Sequence, residues 1–229
     1  MFEIRKGNER GKANFGWLQS RHTFSFASYY DPMQMGFSAL RVINDDTVAP
    51  GAGFDTHGHK DMEILSLVLS GRIAHKDSAG NTEVLPAGEY QLMSAGKGIY
   101  HSEFNASTTE PLKFLQIWIQ PNQFGGQPGY QQKAFGTEQG VTLILSPDGR
   151  DGSLTLKQDA RLYQLILNAQ GEQQLPVAPG RKLYIHVISG DLLVGGQQLQ
   201  AGDGIKISAE SALHLVSPAG VKALIFDLP

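Results

Sequence analysis

The chain has 229 residues, 41% of them apolar and 18% charged, with a net charge of −3 and no cysteine. The apolar share supports a buried core and excludes global disorder, and the length suits one large or two small domains. The missing cysteines exclude disulfides, thiolate metal sites and a Cys nucleophile, and no basic block favours direct nucleic-acid binding.

Short β-rich runs recur between Gly, Pro, Asn and Asp. In chain order they cover residues 37–44, 63–69, 71–76, 90–93 and 114–120, then 142–145, 162–167, 183–188, 191–194, 204–207 and 222–228. Many short strands at this spacing, with no sustained 3.6-residue apolar period, predict an all-β sandwich or barrel with few helices. Residues 122–140 are rich in Gly, Gln and Pro and read as a linker, giving domains over residues 1–121 and 141–229. Residues 146–153 (SPDGRDGS) read as an exposed loop. The halves echo each other in order. Val68-Leu69-Ser70-Gly71 matches Val187-Ile188-Ser189-Gly190, LPAGE at 85–89 matches LQAGD at 199–203, and LQIWIQP at 115–121 matches ALIFDLP at 223–229. This order points to a duplicated unit.

The chemistry concentrates in the first half. His57-Gly58-His59 places two imidazoles on one strand face, and His101-Ser102-Glu103 repeats the alternation. If the two segments lie side by side, His57, His59, His101 and Glu103 present three nitrogens and one carboxylate. Such a sulfur-free set suits one divalent transition metal, with Fe, Mn, Co, Ni, Cu and Zn all admissible. Glu63, four residues after His59, is a competing carboxylate: a ligand, a partner of a ligating His, or an ion-pair former. His22, His75, His186 and His214 have no partner at metal spacing and read as surface or locally hydrogen-bonded residues. The aromatic cluster Trp17, Phe24, Phe26, Tyr29 and Tyr30 reads as core in preference to a substrate slot, and Phe54, near His57, is the better pocket candidate.

Gly51-x5-His57-x-His59-x3-Glu63, followed by Gly71, resembles the first cupin motif, and Gly98-x2-His101-x3-Asn105 resembles the second. Glu103, together with residues 13–26 (ANFGWLQSRHTFSF), Tyr30-Asp31-Pro32, residues 40–46 (LRVINDD) and 145–154 (LSPDGRDGSL), is similar to the pirin family of bicupins. Gly58 departs from the Pro common there. The resemblance implies two jelly-roll-like β-barrel cupin domains. It implies one metal, usually iron(II), on His57, His59, His101 and Glu103, with Glu63 outside the ligand set. It also implies a quercetin 2,3-dioxygenase-like oxidoreductase taking a small aromatic flavonol and O2 and releasing CO, with Glu103 as catalytic base.

Aligning Gly71 with Gly190 sets Pro176 opposite His57 and Ala178 opposite His59, with His214 near the His101 position, so the second barrel is expected to hold no metal. The rival is an iron-binding regulatory protein acting through protein partners. A sugar-type isomerase fits the pirin-like segments less well. No apolar run reaches the roughly 20 residues of a membrane helix. Residues 1–12 lack an apolar signal core, so a cytoplasmic protein without membrane association is expected.

Overall fold

The computed structural model describes residues 1–229. The chain is built from strands, with single 3₁₀ turns at Gly7–Glu9 and Arg150–Gly152. Strand β1 (Phe2–Arg5) comes first. Then follow β2 (Gly11–Asn14), β3 (Leu18–His22), β4 (Leu40–Val48), β5 (Gly53–His59), β6 (Glu63–Ser70), β7 (Arg72–Asp77), β8 (Thr82–Pro86), β9 (Glu89–Ser94), β10 (Ile99–Asn105), β11 (Leu112–Ile119) and β12 (Gly129–Ala134). The second half holds β13 (Gly140–Ser146), β14 (Leu154–Thr155), β15 (Arg161–Leu167), β16 (Gly171–Pro176), β17 (Lys182–Val194), β18 (Gln197–Gln200), β19 (Gly204–Ser208), β20 (Ala212–Ser217) and β21 (Val221–Leu228).

Two compact units result: residues 11–136 with 156–158, and residues 1–10 with 137–155 and 159–229. This differs from the linear division read from sequence in three places, one being the return of residues 156–158 to the N-terminal unit. β1 pairs with β19, Phe2 opposite Ile207, so the chain start belongs to the C-terminal unit. The segment read as a linker carries β12, which pairs with β9 along Tyr130↔Met93. Its Gln-rich composition hid an edge strand whose residues are only half-buried.

Strand order shows the duplication directly. One large sheet runs β12-β9-β6-β11-β4-β3-β2, and the other runs β1-β19-β17-β21-β15-β13-β14. In the first unit a smaller sheet, β5-β10-β7-β8, closes the barrel. In the other, β16 pairs with β20, and β18 and β20 pair with the far end of β17. Gly71 and Gly190 occupy matching turns with φ of 83° and 77°, a region L-residues avoid. The last strands match one residue away from the sequence echo. Val68 pairs with Phe114 and Val187 with Ala223, so Phe114, not Leu115, corresponds to Ala223.

The two interiors differ in filling. The C-terminal unit has a continuous apolar core that includes Leu165, Ile185, Val194, Leu213, Leu215 and Ile225. The apolar clusters of the N-terminal unit include one around Val68 and Phe114 and one around Ile64 and Met93. Buried Ser66, Gln91, Glu103, Gln116, Asn44 and Asp46 occupy its interior as well. Strand pairing makes the comparison residue by residue. Ser66 opposite Gln116 becomes Ile185 opposite Ile225, and Glu103 opposite His75 becomes Leu215 opposite Val194. His101 opposite His57 becomes Leu213 opposite Leu175. The sequence alignment on Pro176, Ala178 and His214 was therefore off by one. The positions equivalent to His57, His101 and Glu103 hold apolar side chains that complete a core.

Candidate metal centre

All the site residues belong to the N-terminal unit. β10 lies antiparallel to β5, with His101 across from His57 and Ile99 across from His59. The side-by-side arrangement expected from the two His-x-His/Glu segments is present. The register shift beside His101 puts the extra residue on β5, between Phe54 and His57, while His101 and Glu103 keep strand parity on β10 and both stay buried.

The three imidazoles face one another, with ring centroids 4.8 Å apart for His57–His59, 4.5 Å for His57–His101 and 4.9 Å for His59–His101. His57 Nδ1 lies 2.7 Å from the Asp55 carbonyl oxygen. A carbonyl only accepts, so Nδ1 carries the proton and Nε2 offers its lone pair inward. His101 Nε2 is 3.1 Å from that lone pair. Desolvation, then the nearby His57 charge, lowers His59 to about 4 and His101 to about 3. Both are neutral imidazoles at pH 7, the form that binds metal.

Glu103 is fully enclosed. Its Oε1 accepts from Ser66 Oγ at 3.2 Å and its Oε2 from Gln116 Nε2 at 3.3 Å. Burial pushes its carboxyl up to about 7, against the lowering bond from Ser66. No Lys or Arg bonds to it. Its nearest metal-type grouping is with His101 and His75, while His101 also groups with His57 and His59. His101 thus links the two groups, and the structure places Glu103 one step from His57 and His59.

These residues fit a divalent cation. Two nitrogens each about 2.1 Å from one ion sit roughly 3.0–3.4 Å apart, and the His57–His101 separation of 3.1 Å falls in that range. His101 Nδ1 is buried without a partner. Neutral imidazoles beside a carboxyl that has no cation leave a positive charge wanting.

Three sequence readings need correction. His75 is buried and locally hydrogen-bonded, the second of its two readings, but it does stand at metal spacing from His101 and Glu103. Its Nε2 donates to Asp77 Oδ2 at 3.1 Å, and the ring of Tyr130 of β12 lies tilted beside it, centroids 5.0 Å apart. His75-x-Asp77 has the same two-residue alternation as His101-x-Glu103, which was the available signal. His186 is also buried, in the C-terminal core. Trp17 and Phe26 line a cavity, Trp17 while also packing on the core around Val68 and Phe114, whereas Phe24 is core and Tyr30 is exposed. His22 bonds to Asn44 and Ser20, and His214 to Glu172, both local pairings as expected. Glu63 accepts from Ser94 Oγ and the Lys157 amide, a structural tie that groups with neither histidine cluster.

The cavity measures about 470 Å³ and opens on His57 and His59. Trp17, Phe26, Phe54 and Trp118 give it flat apolar walls, with Trp118 edge-on to His59 at 5.0 Å. Phe54 was anticipated; Trp118 was not. Ser20, Asn44, Asp46 and Gln116 give it one polar side.

A duplicated cupin barrel with a divalent-metal donor set inside one copy is a bicupin. The comparisons with known proteins agree on its kind. Residues 3–119 match the model of the pirin family, and residues 143–228 match that of the quercetinase C-terminal cupin domain. The chain belongs to the pirin family. It is 52% identical over 229 residues to quercetin 2,3-dioxygenase of Escherichia coli strain K12, covering 100% of this chain and 99% of that protein. It is 43% identical to a putative quercetin 2,3-dioxygenase of Pasteurella multocida, with 100% of both chains covered. The crystal structure of bacterial pirin YhhW of Escherichia coli in complex with nickel(II) superposes with a TM-score of 0.98 at 51% identity, covering 100% of this chain and 99% of that one. No helix is long and apolar enough to cross a membrane.

Proposed function

We propose that the protein is a metal-dependent oxidoreductase that cleaves flavonols such as quercetin with O2 and releases CO. The observation that carries this reading is the opening of an aromatic-walled cavity of about 470 Å³ directly onto two of three converging imidazoles. The relatives named quercetin 2,3-dioxygenase support the substrate class. In this reading His57, His59, His101 and Glu103 hold one metal, iron(II). Zn, Mn, Co and Cu suit the same nitrogen and oxygen donors, and the nickel complex of the E. coli relative supports a permissive site. When bound, the metal supplies Lewis acidity that favours the anionic form of the substrate's hydroxyl oxygen and a meeting point for substrate and O2.

The chain's own residues do the rest. Trp17, Phe54 and Trp118 hold a flat ring system and keep water from it. The Asp55 carbonyl fixes the tautomer of His57. Ser66 and Gln116 fix the carboxyl plane of Glu103, which accepts the proton of the 3-hydroxyl at a carboxylate oxygen and acts as general base. The balance is complete without a reductant: flavonol plus O2 gives a depside plus CO, with both atoms of O2 retained in the products.

The test is anaerobic purification, loading with each metal in turn, and measurement of O2 uptake and CO with quercetin. Equal amounts of O2 consumed and CO released are expected. No CO from any metallated form would overturn the reading and favour an iron-binding protein that acts through protein partners.

A further inference from the structure

The polar side of the cavity has no counterpart in the sister barrel and an unexplained oxygen. Ser20 pairs with Asp46, and His22 with Asn44, across β3 and β4, and the four side chains are buried. Three are accounted for: His22 bonds to Asn44 and Ser20. Asp46 is 2% exposed and lines the cavity; its carboxyl accepts a hydrogen bond from Ser20, yet its Oδ1 has no partner. No cationic side chain pairs with it. Buried orphan acceptors are rare in native proteins because each forfeits its hydration. The sister barrel shows that the fold does not need a carboxyl here. Asp46 stands opposite Phe114 on β11, and the matching residue opposite Ala223 is Leu165. Leu165 sits in the apolar core of its unit.

We infer that Asp46 is a recognition residue for a second hydroxyl of the substrate, distinct from the one that loses its proton to Glu103. The chemical class it selects is a planar aromatic bearing several hydroxyl groups. A hydroxyl suits this place because it donates to a carboxylate and accepts from a carboxylic acid, so the pairing holds in either state of Asp46. Rotation about the last torsion of Asp, which is soft, presents either oxygen to the cavity. The flat walls alone bind any flat ring. Asp46 adds discrimination, because a ligand without the hydroxyl leaves a buried acceptor unpaired. The inference rests on the flavonol reading for the identity of the ligand, but its test reads binding, not turnover.

The chain provides its own reporter, since both of its tryptophans, Trp17 and Trp118, line this cavity. Tryptophan quenching, corrected for absorption by the ligand and checked by calorimetry, gives affinities under anaerobic conditions. The probes are quercetin and 3-hydroxyflavone, which keeps the 3-hydroxyl and loses the others. Wild type is expected to prefer quercetin by about 10–100-fold, the size of a hydrogen bond to a buried carboxyl. In Asp46→Leu that ratio falls to within roughly threefold, and in Asp46→Asn, which keeps one acceptor, it lies between. Thermal melting confirms that the variants fold, as Leu165 in the sister barrel leads us to expect. A ratio unchanged in Asp46→Leu overturns the inference and leaves the flavonol reading intact. An Asp46-dependent ratio without O2 uptake sustains the inference and defeats the dioxygenase reading. No quenching by either probe overturns both.

Discussion

Glu103→Gln separates the two roles proposed for that residue. In the native barrel its two oxygens accept from Ser66 Oγ and Gln116 Nε2. Gln can keep both bonds: its carbonyl accepts from Gln116, and its amide donates to the Ser66 hydroxyl, which rotates to accept. The fold is therefore retained and a neutral oxygen remains inside, but no group there can take the substrate's proton. If Glu103 only helps to hold the metal, the variant binds metal more weakly and turnover per bound metal is spared. If it is also the base, turnover per bound metal falls by about 10²–10⁴-fold. The assay is CO release from quercetin normalised to metal measured in the same sample, with circular dichroism to confirm folding. Metal-normalised turnover equal to wild type would refute the base role and leave the ligand role standing.

Other expectations follow from the same interior. His57→Ala should reduce metal content at equimolar loading far below one equivalent, whereas His214→Ala, at an exposed side chain beside Glu172, should leave it unchanged; elemental analysis decides both. Ser66→Ala and Gln116→Leu should each weaken metal affinity by about 10–100-fold in chelator competition, because they release the carboxyl they hold. The metal-free protein should show a pH signature. Glu103 has a folded value raised from 4.5 to about 7. The stability it contributes is full below the unfolded value and is lost as pH rises through the folded one. The difference in unfolding free energy between wild type and Glu103→Gln should therefore shift against wild type between about pH 4.5 and 7, by up to about 3 kcal/mol. Urea titrations at stepped pH measure it, and a difference flat with pH would sink the argument.

The metal-type cluster was legible because its signal is local. His57-x-His59 and His101-x-Glu103 each follow strand parity, and parity survives whatever the strands pair with. His75-x-Asp77 carries the same parity, but His75 joins the cluster only through the pairing of β7 with β10 at His75↔Glu103. Asp46 was missed for a related reason. Asn44, Asp45 and Asp46 form a polar run at the end of an apolar strand, which reads as a turn unless the inner face is known to be hollow. The Gln-rich β12 and the short β1 carry little apolar alternation of their own. Both are edge strands, and each is made a strand by the partner whose backbone it completes. The duplication was readable from turn glycines, but its register was not, because strand pairing, not sequence similarity, decides which residue of the last strand stands opposite Val68 and Val187.

The placement of β1 sets an order of events at the ribosome. Phe2 and Ile4 pack against the core of the C-terminal unit, and Arg5 pairs with Gly204. At about 5–20 residues per second, some ten to forty seconds of synthesis separate the two partners. Throughout that interval β1 lacks the partner it pairs with, while each strand from β2 to β12 gains its partners before β19 is made. The N-terminal barrel can thus close around its histidines before the second barrel is complete. The start of the chain must stay unengaged until β19 emerges. A bulky fusion placed just ahead of Phe2 would burden the slowest closure in the molecule, and the yield of folded C-terminal barrel, not the metal site, would register it first.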